Sequence, residues 1–270
     1  MVSKVKKSIL VLSFLVAQAA HAQKAVPWTW KKSDCRSCGI SFKLVGDINA
    51  REDMDMKEKS IRFLMSTTTT GQAALNAYDL DAKARTYAFL NALSTEKETI
   101  LKLYNSDPQE YNLLASMAVG ILGQESRFFG HWRYFIKRNS QLAIKEMKEI
   151  KAWIKDSEAV ANSKGPTQIK NVPDRIAQHY NITEKNLWNP KAAAVSTMGY
   201  LIEALAELKQ RAKNNNLEMI TDDTYVDYLP YLYFGGAKKL VNRTATPDKN
   251  IYVKNMKRFM KKVAVSEVVK

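Results

Sequence analysis

Apolar residues recur at helical spacing along most of this chain, and little interrupts them. From residue 56 onward Ile61, Phe63, Leu64, Ala73, Ala74, Tyr78, Leu90, Leu93, Ile100 and Leu103 fall at separations that a 3.6-residue period allows. Ten Gly and seven Pro in 270 residues leave little material for the frequent reversals of a turn-dense all-β fold. No run alternates convincingly between apolar and polar, as a half-buried strand would. The expected class is therefore mainly α, with enough chain for one sizeable domain or two small ones.

Helix boundaries are written locally. Asp107 is a good N-cap, Pro108 suits the first helical position, and Glu110 stands where a capping-box acid would. That helix runs through Leu114, Ala118, Ile121 and Glu125, three or four apart and so on one face. Asn189-Pro190 starts a second strong helix through Val195, Met198, Leu201, Ile202, Leu205 and Leu208. The run Ser66 to Gly71 breaks an earlier helix, and a short one carrying His179 follows Pro173. Further helices are expected over 141–155, with a basic back, over 222–234, stopped by Gly235-Gly236, and over 249–263.

Residues 1–22 read as a secretory signal peptide. Lys4, Lys6 and Lys7 precede a short apolar run, Ser8 to Ala17, and Ala20-His21-Ala22 offers a small-residue cleavage site. The run is shorter than the roughly 20 residues of a membrane span, so a secreted or periplasmic protein with no integral membrane span is expected, an uncleaved anchor being the alternative. Lys+Arg number 42 against 27 Asp+Glu, a formal charge of +15, and cleavage would remove only three Lys. An exported cation is expected to meet an anionic cell envelope, with no nucleic acid partner, unless the charge is merely a solvated surface.

Residues 23–55 look like an irregular N-terminal extension with Pro27, Trp28, Trp30 and the pair Cys35-Arg-Ser-Cys38. The tryptophans could clamp this arm onto the body or line a ligand surface. Export favours a small structural disulfide between Cys35 and Cys38, with redox or metal roles as alternatives. Zinc needs about four ligands, and His131 and His179 stand far off without a second Cys pair. No metal site is expected.

The residue with most chemical interest is Glu125. A carboxyl group on an apolar helix face loses hydration, and burial disfavours its charged form. A Glu kept protonated can give its proton to a leaving oxygen, as glycoside cleavage requires. A Glu at a helix's exposed last turn would look the same in sequence.

Four segments add a pattern. Gln124-Glu125-Ser126 resembles the Glu-Ser signature of the lytic transglycosylase and goose-type lysozyme superfamily. Gly165-Pro166-Thr167-Gln168-Ile169 is similar to that family's Gly-Leu-Met-Gln-Ile loop, with Ser163 where a small polar residue often precedes it. Leu187-Trp188-Asn189-Pro190, followed by Tyr200-Leu201, resembles its Leu-Phe-Asp-Pro run, and Tyr233-Phe234-Gly235-Gly236 its Ala-Tyr-Asn-Ala-Gly segment. The resemblance covers about residues 107–240. It implies a lysozyme-like helical domain over 56–270, active without a cofactor on peptidoglycan glycan strands. The bond cut would be the β-1,4 link between N-acetylmuramic acid and N-acetylglucosamine. Glu125 would be general acid and then base, and Tyr233 the hydroxyl that orients it. Ser163 and Gln168 would line the sugar cleft, with Tyr200 packing beside it.

Departures shape the expectation. Forty residues separate Glu125 from Gly165, a long insertion for the family, and Phe234 stands where the family has Asn. Loss of that amide suits selectivity for deacetylated peptidoglycan, as in the family's lysozymes of predatory bacteria. It equally suits a catalytically inactive wall-binding module on the same fold. Asp156, Glu158, Asp222, Asp223 and Asp227 are candidates for a second carboxylate, none placed near Glu125 by spacing.

Overall fold

A computed structural model describes residues 35–132, 165–235 and 246–268. Among them are eight α-helices and one two-stranded sheet, so the protein is mainly α, as expected. In order they are β1 (Gly39–Leu44), α1 (Met56–Ser66), α2 (Thr69–Thr95), α3 (Lys97–Tyr104), α4 (Pro108–Ser126), α5 (Asp174–Tyr180), α6 (Pro190–Asn214), α7 (Tyr225–Gly235), α8 (Ile251–Met260) and β2 (Val263–Val268).

The capping signals act as read. Asp107 accepts from the Gln109 N–H at 3.0 Å and starts α4; Asn189 accepts from the N–H groups of Lys191 and Ala192 and starts α6. Each satisfies donors a helix start leaves unpaired. Glu110 stands in the first turn of α4, as expected. It forms an ion pair with Lys209 of α6, joining the start of one long helix to the other.

Helix α4 is the centre of the molecule. Every residue from Tyr111 to Gly123 is buried, so the single apolar stripe expected on it is corrected to burial all round, as befits a central helix. Helices α2, α6, α7 and α8 supply the main core around it, with Phe89, Leu93, Val195, Leu205, Leu229 and Met256 among its members. A second, small core of Ile61, Met65, Leu75, Tyr78 and Trp132 lies where α1 folds onto the first half of α2.

The extension is not wholly irregular, and strands are present after all. β1 pairs antiparallel with β2 in the register Gly39↔Val268 to Leu44↔Val263. Ile40 is buried and Phe42 and Leu44 half-buried, whereas Ser41 and Lys43 are exposed, the alternation of a half-buried strand. Cys35 and Cys38 form the expected disulfide beside this sheet, S–S 2.01 Å. Buried Lys97 donates to the Cys38 carbonyl at 2.8 Å and to Asn112 at 3.3 Å, and Asn112 donates to Glu267 of β2. A buried ammonium is tolerable only when hydrogen-bonded in this way.

The segment expected to be a signal peptide, Trp28, Trp30, the stretch 141–155 expected to be a basic helix, Ser163 and Gly236 lie outside the described residues.

Candidate active site

Glu125 sits in the last turn of α4, half-buried. The chain after it turns sharply. Arg127, Phe128 and Phe129 take φ of 50°, 54° and 63°, three successive left-handed residues, none a glycine. Each such residue costs about 1–2 kcal/mol for an L-amino acid, so local ties must hold them. Ser126 supplies one: its hydroxyl donates to the Leu122 carbonyl at 2.9 Å and accepts from the Phe129 N–H at 3.2 Å. Arg127 N–H bonds to Gly123 O and Phe128 N–H to Leu122 O, which satisfies the closing carbonyls of α4.

Burial raises the Glu125 pKa above the usual glutamate value. Opposing it, the Tyr252 hydroxyl donates to Glu125 Oε1 at 2.7 Å. Tyr252 stands in the first turn of α8, where Asn250 caps the helix by accepting the Tyr252 N–H at 2.8 Å. α8 reaches Glu125 because α4 presents Gly120 and Gly123 to it. A Cβ on Gly123 would lie 2.4 Å from Phe259 Cβ, and one on Gly120 2.4 Å from Met260 Cγ.

Tyr233 corrects an expectation. Its hydroxyl donates to the Thr167 carbonyl, and the bond to Glu125 comes from Tyr252. Tyr233 is still beside the carboxyl, whose charge helps burial push its phenol well above the ordinary range. The Tyr200 ring meets it edge-on, centroids 5.1 Å apart. Glu125, Tyr200, Tyr233 and Tyr252 thus form one cluster drawn from α4, α6, α7 and α8.

The Tyr233–Thr167 bond brings the Gly165–Ile169 loop to this cluster. Gly165 has φ +75°, and a Cβ there would meet the Leu187 carbonyl at 3.0 Å, so both conformation and space require glycine. Gln168 also adopts positive φ, 54°, and its side-chain amide donates to Gly165 O at 2.6 Å. The Thr167 and Thr197 hydroxyls are hydrogen-bonded at 2.8 Å, fixing the loop on α6. Gly165→Ala should therefore cost about 1–3 kcal/mol of stability, readable as a lower urea midpoint at unchanged slope.

The structure thus gathers Glu125, Tyr200, Tyr233 and, through Thr167, Gln168; the Cys pair belongs to the sheet. Tyr252 and Arg127 are the residues the sequence reading missed. Of the second-carboxylate candidates, Asp227 pairs with Lys257 and Asp222 interacts with Tyr225, while Asp156 and Glu158 lie outside the described residues. Burial, opposed by the Tyr252 hydrogen bond, accounts for the direction of the Glu125 shift. Cys35, Cys38 and Glu267 are close enough together to suggest a metal, but sulfurs bonded to each other are not thiolate ligands. A cavity of about 470 Å³, lined by Tyr104, Glu110, Arg175, Glu203 and Lys209 among others, lies at the opposite end of α4.

Comparison with known proteins finds no family model, no curated protein and no solved structure that matches this chain.

Proposed function

We propose that this protein is an exported peptidoglycan-cleaving muramidase, with Glu125 as the acid that breaks the β-1,4 glycosidic bond. The observation that carries the reading is a desolvated carboxyl at a helix end, held by the Tyr252 hydroxyl and linked through Tyr233 to the Gly165–Ile169 loop. The protonated carboxyl donates to the glycosidic oxygen as its bond to the anomeric carbon breaks. The carboxylate left behind accepts the Tyr252 hydrogen bond and takes a proton from the incoming hydroxyl, which bonds to the same carbon. That hydroxyl belongs to water in a hydrolase and to the muramoyl sugar in a lytic enzyme. No cofactor is needed, and the chain's positive charge steers it to an anionic wall.

The deciding measurement is mass spectrometry of soluble products from native and chemically deacetylated sacculi. Muropeptides with reducing or anhydro ends are expected, in greater yield from deacetylated material because Phe234 stands where the resembled family has Asn. Sedimentation of the protein with sacculi, without any release, would leave the binding-module reading in its place.

Tyr252→Phe separates the two phases of the reaction. Its hydroxyl favours the charged carboxylate, so its loss raises the Glu125 pKa further. The basic limb of the rate profile then moves to higher pH. The maximal rate falls about tenfold, because the newly formed carboxylate loses a charge-assisted donor. A rate–pH curve superimposable on wild type contradicts this assignment.

A further inference from the structure

The turn after Glu125 is held by a part of the fold that the proposed reaction does not touch. Arg127 is 4% exposed and Glu58 0%, and they form an ion pair between the end of α4 and helix α1. Arg62 donates to the other Glu58 oxygen at 3.3 Å and grips Asp79 of α2 through two N–H groups at 2.9 and 2.7 Å.

The backbone of the same turn is tied to α2. Thr86 donates to the Phe128 carbonyl at 3.0 Å, and Tyr78 to the carbonyls of Phe129 and His131 at 2.7 and 3.1 Å. Asp55, the N-cap of α1, lies 3.6 Å from His131, and Trp132 fills the small core between α1 and α2. Apart from the Arg62 contacts, which lie within it, every tie named here runs from the hairpin of α1 and α2 to residues 127–132.

Stability alone is a poor reason for such a pair. Burying two charges commonly gains no more than apolar residues of equal volume, and its best-attested use is to select one arrangement. The arrangement here is specific: three left-handed residues in a row, which no local preference supplies. Glu125 lies two positions before the first of them, so rotation of that turn moves its carboxyl relative to Tyr252 on α8.

We propose that Arg127, clamped by Glu58, is a positioning residue for Glu125, and that the α1–α2 hairpin sets where this carboxyl meets Tyr252. Only the kinetic part of the test rests on the muramidase reading.

Two variants examine the idea: Glu58→Gln, which keeps shape and removes charge, and the double change Glu58→Met with Arg127→Met, which replaces the pair by apolar volume. Near-ultraviolet circular dichroism identifies folded protein, and the double variant carries the measurement if the single one does not fold. The first readout needs no substrate. The Glu125 carboxyl is followed by ¹³C NMR titration and assigned by its absence in Glu125→Gln. Its midpoint should shift by about 0.5 pH unit or more as the contact with Tyr252 loosens. On sacculi, kcat should fall about 10- to 100-fold with KM nearly constant, as misplacement of a reacting group does. A folded double variant whose Glu125 titrates as in wild type overturns the proposal. A shifted titration in a protein that releases no muropeptide supports it, while removing the muramidase reading.

Discussion

Glu125→Gln should abolish bond cleavage and at the same time stabilise the protein at neutral pH. General acid catalysis contributes about 10²–10⁴ in rate, and an amide cannot donate that proton, so muropeptide release should fall by that range or below detection. The stability effect has the opposite sign. The Glu125 pKa is raised in the folded state above the ordinary 4.5, chiefly by burial. Well below 4.5 both folded and unfolded chains hold the proton. As pH rises past that value the unfolded chain releases its proton first, and stability drains until the folded carboxyl also ionises. Glutamine has no such step, and its amide oxygen can still accept from Tyr252. Thermal unfolding of both proteins from about pH 3 to about pH 8 should give coincident midpoints at the acid end and a widening gap above it. Each kcal/mol of that gap moves the midpoint about 2–4 °C in a chain of this size. Parallel curves at every pH would mean that Glu125 is solvated, and the proposed acid would lose its physical basis.

What the sequence displayed and what it hid divide along the range of the interactions. Asp107-Pro108 and Asn189-Pro190 announce α4 and α6 because a cap and its helix are neighbours in the chain. The strand Gly39–Leu44 alternates correctly, but its partner is Val263–Val268 at the far end, and six residues without a visible partner do not make a sheet. Glu125 was legible as an acid among apolar residues, although the stripe inferred for α4 is in fact burial on every side.

The aromatic partner of Glu125 differs from the expected one for a reason that recurs in buried loops. The Thr167 carbonyl, inside the molecule, needs a donor and takes the Tyr233 hydroxyl, leaving the carboxyl to Tyr252, 127 residues from it. Arg127 hid in the same way. A charged residue after a helix reads as solvated, and only the folded chain brings Glu58 to it. One signal was present and unused: Gly120 and Gly123, three apart on a helix, lie side by side and admit another helix at short range.

That close approach supports the second large effect, which is mainly one of packing. Gly123→Ala places a methyl 2.4 Å from Phe259 Cβ and 2.6 Å from its Cγ, with the Phe128 ring at 3.0 Å. Real carbon contacts are about 3.5–4.0 Å, and Phe259 Cβ is anchored to the α8 backbone, so the relief must come from displacement of α8. Overpacking of this kind costs about 1–3 kcal/mol. Gly120→Ala meets the Met256 and Met260 side chains at 2.7 and 2.4 Å, which can bend away, and the Met256 carbonyl at 3.0 Å. It should cost less than Gly123→Ala despite the similar distances. Activity should follow the displacement rather than the stability. In Gly123→Ala, Tyr252 moves with α8 and its bond to Glu125 lengthens, so the pH–rate profile should shift toward that of Tyr252→Phe even well below the melting temperature. Loss of stability with an unaltered profile would show that α8 can yield at Phe259 while holding Tyr252 in place, and the two glycines would then matter to the core alone.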